Sequence, residues 1–271
     1  MRLAVFVTPH GFGHAARAAA VLAALREELP ALEATLFTSV PRWFFSESLD
    51  FSFDYRELAC DVGFVQRSAV EEDLGATIGR LAELWTDAEE FLLKGLLSQL
   101  VASRAEAVLC DIAPLGLVAA REAGIPSILV ESFTWDWIYE GVLEREPRFA
   151  PWIRRLREAF ELATLRIQTE PVCSPAPGAT RVGPIARRPR TPRRAVRARL
   201  GIGGGRSMVL VSLGGIESRI AHLERLELPG VDFVVPGGVA AGEAEAPREG
   251  LVLLPHHTPI FHPDLVHAAD A

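Results

Sequence analysis

The stretch Leu3-Ala4-Val5-Phe6-Val7-Thr8-Pro9-His10-Gly11-Phe12-Gly13-His14-Ala15 leaves a chain few ways to fold. Its apolar run, Leu3 to Val7, suits a short strand buried on both faces, as in a parallel sheet. From Ala15 onward, Ala18, Leu22, Leu25 and Leu29 recur at helical spacing, so the order is strand, glycine turn, helix. Gly11 and Gly13 let the backbone turn sharply and approach a ligand. The helix start adds unpaired N–H groups and a positive dipole end. His14 falls in the first helical turn, at the crevice.

Three readings of this turn compete. Gly11, Gly13 and Ala16 match a dinucleotide fingerprint, but the second strand, Ala34 to Ser39, ends in Phe37-Thr38-Ser39 without the acidic residue that would grip a ribose. A second reading is a tight turn with a helix-capping histidine. The third is a catalytic base at the mouth of a sugar-transferring fold, which needs a carboxylate partner from elsewhere in the chain.

Strand-like and helix-like segments alternate through most of the sequence, implying a parallel sheet. Val108-Leu109-Cys110-Asp111 reads as a buried strand closing on an acid, and such ends point into the ligand crevice of an open α/β sheet. A helical stretch is expected from about Glu71 to Ser103, a short helix over Leu115 to Ala123 closed by Gly124, and a basic amphipathic helix over Pro147 to Leu162. The aromatic run Trp43-Phe44-Phe45 reads as core under a loop in preference to an exposed patch for an amphiphilic acceptor. The arginine- and proline-rich run 187–194 reads as a solvated linker. Beyond it Met208 to Ser212 and Leu213-Gly214-Gly215 restart the strand-and-glycine-turn pattern. At 271 residues the chain accommodates two α/β domains: a Rossmann-like domain over 1–180, a linker over 181–204 and a second, incomplete Rossmann-like domain over 205–271.

Net charge is −7, and the basic residues are 27 arginines and Lys94 with no basic face gathered for DNA or RNA. No apolar run reaches the roughly 18 residues of a membrane span, and no signal sequence opens the chain, so a cytoplasmic protein is expected. Cys60, Cys110 and Cys173 fit neither a disulfide framework nor a metal motif, and buried thiols are the expectation. His256, His257, His262 and His267 match no zinc spacing, so no metal is assigned.

His10 to Arg17, Asp61 to Gln66, Cys110 to Pro114, Ala123 to Pro126, Ser132-Phe-Thr-Trp-Asp-Trp-Ile-Tyr139, Gly183-Pro184 and Val211 to Gly215 together resemble the GT-B type of nucleotide-sugar glycosyltransferase. The likeness is strongest to the transferase-like N-terminal region of plant L-arabinokinases and their bacterial relatives. More distantly the chain is similar to plant UDP-glycosyltransferases and the bacterial peptidoglycan N-acetylglucosaminyltransferase. The resemblance implies two Rossmann-like domains and transfer from a nucleotide-sugar, a UDP-sugar by preference, to an acceptor hydroxyl of unspecified type, with no further cofactor. It assigns His14 as base and Asp111 as its orienting carboxylate, a sensible pair because a sugar hydroxyl is too weak an acid to ionise near neutral pH unaided. It also puts Ser212, Gly214, Gly215 and His256 on the donor side, and His10, Gly11, Gly13, Gln66, Trp135 and Asp136 on the acceptor side.

One departure stands out. The family's further strand and glycine turn, with a glutamate for the donor ribose, has no counterpart after Asp270, so a fragment or a donor-impaired relative is expected. The rival reading is a non-catalytic nucleotide-sugar-binding or regulatory domain. No kinase segment is present in these residues, so kinase activity does not carry over.

Overall fold

The structure, a computed structural model, describes residues 1–68, 70–85, 89–215, 225–239 and 249–271, without the side chains of 89–92 and 238–239. The chain divides into two compact units, one of Met1–Arg67 with Glu72–Ala186 and the other of Ser68–Glu71 with Arg187–Ala271.

In chain order the elements before Ala186 begin with β1 (Arg2–Val7), α1 (Gly13–Glu28), β2 (Glu33–Thr38), α2 (Arg42–Ser48), β3 (Asp54–Glu57), a small pair of strands β4 (Gln66–Ser68) and β5 (Glu71–Glu72), and α3 (Leu74–Trp85). Next come α4 (Glu89–Ser103), β6 (Ala107–Asp111), α5 (Pro114–Ala123), β7 (Ser127–Glu131), α6 (Trp135–Glu140), α7 (Ala150–Glu161), β8 (Leu165–Thr169) and β9 (Thr180–Val182). Seven of the strands form one sheet in the order β3-β2-β1-β6-β7-β8-β9, every pairing parallel. The chain first moves outward from β1 to β3, then returns to the other side of β1 to lay down β6. Between β1 and β6 the direction of winding reverses, and in open α/β sheets ligands bind at the carboxyl ends of the strands at such a point.

Alternation along β1 feeds two apolar layers. Ala4 and Phe6 pack with Phe37, Cys110, Trp135 and Tyr139, whereas Leu3, Val5 and Val7 pack with Ala15 and Leu22 of α1. The aromatic run after Pro41 forms α2, whose Phe44 and Phe45 are core. The helical stretch expected from Glu71 starts later: β5 takes Glu71–Glu72, and Asp73 accepts the Ala76 N–H at 2.9 Å, ending the extended segment and opening α3. Residues 86–88, inside that expected stretch, lie outside the described residues. Gly124 closes α5 with φ +67, as the sequence implies. Cys60 and Cys110 are buried, but Cys173, also expected buried, is exposed because it follows β8 in a surface loop.

The second unit holds α8 (Arg193–Arg199), β10 (Ser207–Leu210), β11 (Val231–Val239), β12 (Leu251–Pro255) and α9 (His262–Ala268), with the three strands in one parallel sheet. The helix α8 lies inside the 181–204 stretch and packs Val196 into a small core with Met208, Val234 and Leu265. The expected strand over Met208 to Ser212 ends at Leu210, although the Val211 N–H still reaches the Val234 carbonyl at 2.9 Å. Among the described residues no helix is long and apolar enough to cross a membrane.

Candidate functional site

β1 and β6 are neighbours, with Val7 opposite Asp111, so the turn after β1 and the carboxylate closing β6 meet at one sheet edge. Gly11 has φ +72, a left-handed backbone that a glycine adopts without steric cost. Gly13 is different. It is the first residue of α1, has ordinary helical φ, and a Cβ built on it would meet nothing within 4 Å. Phe12 occupies the N-cap position and no side chain caps the helix, so His14 is not a helix cap.

His14 Nδ1 lies 2.9 Å from Asp111 Oδ1. Arg17, one turn further along α1, grips the same carboxylate with two bonds, Nε to Oδ2 at 2.7 Å and Nη2 to Oδ1 at 2.6 Å, while Nη1 donates to Ser132 Oγ at 2.9 Å. His14 and Arg17 are each 9% exposed and Asp111 is 0% exposed, so all three charges or dipoles interact with little screening by water. Burial alone would raise the Asp111 carboxyl, but the Arg17 guanidinium and the hydrogen bonds from His14 and Arg17 outweigh it and hold the group below its ordinary range. An ionised carboxylate only accepts, so Nδ1 carries a proton; in the neutral imidazole this is the tautomer that leaves the Nε2 lone pair free. The 3.4 Å approach of Arg17 Nη2 to His14 Nδ1 is then proximity between two donors. Ile112, the next residue, is a β-branched residue at φ +41, backbone strain of about 1–3 kcal/mol located where the carboxylate is aimed.

A second buried carboxylate stands beside this cluster. Asp61 accepts from Thr8 Oγ1 at 2.7 Å and from Trp135 Nε1 at 2.8 Å. Burial raises its carboxyl from 3.8 to about 7; the two hydrogen bonds pull the other way, and the Asp111 charge adds to the rise. Trp135, expected on the acceptor side, is 2% exposed. It meets His10 edge-on with ring centroids 5.1 Å apart, so it supports His10 from within the fold. Burial, then the neighbouring His14, lowers the His10 imidazole. A Cβ at Gly63 would come 2.6 Å from His10 Nδ1 and 2.9 Å from the Trp135 ring, so only glycine fits there. Gln66 begins β4, away from the large sheet. Asp136 lies in the first turn of α6, with Oδ2 3.4 Å from Arg157 Nε.

In the second unit Gly214 and Gly215 have φ +65 and +84, a left-handed pair in the turn that follows β10. Ser212 Oγ lies 3.3 Å from His262 Nε2, an imidazole lowered by burial and then by the Arg187 charge. His256 directly follows β12 and approaches Gly237 of β11, whose built Cβ would lie 3.7 Å from its Nδ1. Arg17 and Asp61 are the site residues that sequence reasoning did not single out. Arg17 had a signal, since it sits three residues after His14 on the same helical face, and a buried arginine requires a carboxylate.

Solved glycosyltransferase structures share this fold. The glycosyltransferase SnogD from Streptomyces nogalater covers all of this chain at TM-score 0.57 and 18% identity, with 74% of that chain matched. Spinosyn rhamnosyltransferase SpnG, complexed with thymidine diphosphate, matches at TM-score 0.59 and 15% identity, again over 100% of this chain and 74% of that one. This is the GT-B glycosyltransferase fold. Among curated proteins, L-arabinokinase of Arabidopsis thaliana is 28% identical over 218 residues, 78% of this chain. The match covers 21% of that relative, so the chain spans about a fifth of its length. No family model matches. In the GT-B frame His14, Arg17 and Asp111 belong to the N-terminal Rossmann-like unit and the Ser212 to Gly215 turn to the C-terminal one.

Proposed function

We propose that this protein transfers a glycosyl group from a nucleoside diphosphate sugar to an acceptor hydroxyl. The observation that carries the reading is the 2.9 Å bond between His14 Nδ1 and Asp111 Oδ1 at the carboxyl edge of β1 and β6. Nε2 takes the acceptor proton as the acceptor oxygen bonds to the anomeric carbon; the bond from that carbon to the phosphate oxygen breaks, and the nucleoside diphosphate leaves with the electron pair. Asp111 holds the tautomer, and Arg17 holds Asp111. Ser212, Gly214, Gly215 and His256 belong to the donor side, where backbone N–H groups of a left-handed glycine pair suit a diphosphate without a metal. A UDP-sugar is the favoured donor. SpnG was solved with thymidine diphosphate, which makes a TDP-sugar the competing choice.

The test is release of UDP or TDP from a panel of sugar nucleotides in the presence of mixed acceptors, read by coupled assay and by mass spectrometry of the glycoside. His14→Ala should lower the rate by about 10² to 10⁴ and Asp111→Asn by somewhat less, with the double variant little worse than His14→Ala. A His14→Ala protein with undiminished transfer would refute the base. A second reading, a nucleotide-sugar-binding module without catalysis, draws on the fact that the relative covered for a fifth of its length is named as a kinase. Sugar-nucleotide binding without turnover by the full chain would favour it.

A further inference from the structure

The segment from Cys60 to Gly63 has no regular secondary structure, yet it is held at every residue. Cys60 Sγ donates to the Val7 carbonyl at 3.1 Å, Asp61 accepts from Thr8 and Trp135, the Val62 carbonyl accepts from Tyr139 Oη at 2.6 Å, and Gly63 lies against His10. Thr8 also belongs to the histidine–carboxylate cluster, since its N–H donates to the Asp111 carbonyl at 3.3 Å. Tying down so much irregular backbone costs conformational entropy that a mere connection need not lose.

What this segment holds is His10. The ring meets Trp135 edge-on and Gly63 at a distance that leaves no room for a Cβ, and Asp61 fixes the Trp135 indole through Nε1. His10 is half-buried, and its imidazole, lowered by burial and by His14, is neutral near pH 7. No hydrogen bond from the described residues reaches either of its ring nitrogens, and neither nitrogen is sealed from solvent. His14 Nε2 is likewise open and unbonded among the described residues. The two imidazoles flank one aromatic pair: Phe133 stands edge-on to His14 and to Trp135, with centroids 5.7 Å apart in each case. A rigid polar ring whose polar atoms the fold leaves unused is preorganised for a ligand. A neutral imidazole carries one donor and one acceptor, the complement of a hydroxyl.

We propose that His10 is a second contact for the acceptor, bonding a hydroxyl a few bonds from the one that His14 deprotonates, and that Asp61 is the positioning residue for that contact, acting through Trp135 and the segment that carries Gly63. The acceptor contact rests on the transferase reading; the positioning does not.

Two readouts on the full chain test it. Without substrate, histidine-selective NMR follows the His10 ring, assigned by its loss in His10→Ala. In wild type the titration midpoint lies below 6.5. It should rise toward 6.5 in Asp61→Ala, which releases the indole, and in Gly63→Ala, which pushes the ring outward. Asp61→Asn keeps both hydrogen bonds and should leave it in place. Should Asp61→Ala fail to fold, Trp135→Phe removes the same bond from its other end and should raise the midpoint likewise. In the second readout, with UDP-glucose and TDP-glucose as donors, cyclohexanol competes with the 1,2- and 1,3-cyclohexanediols. One diol should be favoured about tenfold in wild type and in Asp61→Asn. The preference should vanish in His10→Ala, Gly63→Ala and Asp61→Ala, with Asp61→Ala adding nothing in a His10→Ala background. A midpoint unmoved in the Asp61→Ala or Trp135→Phe protein overturns the positioning role. A wild type without diol preference, or a preference that survives His10→Ala, overturns the contact. If nothing is glycosylated from either donor, the contact falls with the transferase reading, and Asp61 is judged on the midpoint alone.

Discussion

Asp61→Asn tests the electrostatics of the site without any substrate. In the unfolded chain the carboxyl ionises near 3.8, whereas in the native protein burial raises it to about 7. Between these values the native state holds a proton that the unfolded state has released, so the stability this group contributes is complete below 3.8, falls as pH rises and is gone above about 7. The interval of roughly 3 pH units, at about 1.4 kcal/mol each, amounts to about 4 kcal/mol. Asparagine keeps the shape: its oxygen accepts from Trp135 Nε1 and its amide donates to the Thr8 hydroxyl, which can serve as acceptor as well as donor. Urea unfolding followed by tryptophan fluorescence reports on the right unit, because all five tryptophans, 43, 85, 135, 137 and 152, precede Ala186. The unfolding free energy of wild type minus that of Asp61→Asn should fall by about 4 kcal/mol between pH 4 and pH 8. A difference that is flat across this range, or that grows in favour of wild type, would mean the native carboxyl is ionised throughout and would refute the reasoning.

Arg17→Met should destabilise the first unit by about 3–5 kcal/mol, since it leaves a buried carboxylate without its guanidinium, and adding Asp111→Asn should recover much of the loss in a double-mutant cycle. Because the Asp111 carboxyl is depressed in the native protein, its contribution is present above about 3.8 and disappears as pH falls through the lower native value; acid titration of unfolding in wild type and the double variant checks this. Gly63→Ala should cost about 1–3 kcal/mol by thermal melt, because the new methyl must displace His10 or the Trp135 ring, and an unchanged melting temperature would argue against the packing described.

The first strand, turn and helix are legible because each signal is local: an apolar run, a left-handed glycine, apolar residues at helical spacing. Asp111 could be paired with His14 for a similar reason, as both end strands that a parallel sheet aligns. What the sequence did not yield was the order of the strands, and with it the neighbours. Arg17 needs β6 beside β1 to find Asp111, and Asp61 needs Trp135, 74 residues away, to be recognised as part of the same cluster. The resemblance put Trp135 on the acceptor side, but its indole N–H and ring are both consumed inside the fold. The Glu71 start of the long helix was misplaced because Asp73, a capping residue, lies within the polar run Glu71-Glu72-Asp73 and leaves no hydrophobic edge to mark the boundary.

The bonds that complete the cluster are long in sequence: 97 residues from His14 to Asp111 and 115 from Arg17 to Ser132. During synthesis the β1–α1 turn therefore leaves the ribosome well before either partner exists, carrying a guanidinium whose native place is sealed from water and a strand, β1, whose second edge is open until β6 arrives. Translation at about 5–20 residues per second makes that wait several seconds or more. The nascent chain has to keep its first helix loosely docked over that interval, and closing so distant a loop costs entropy before any contact rewards it. Arg17 then acts as a late check on assembly: only a chain that has added β6 and β7 on the correct side of β1 can bury that charge with a partner.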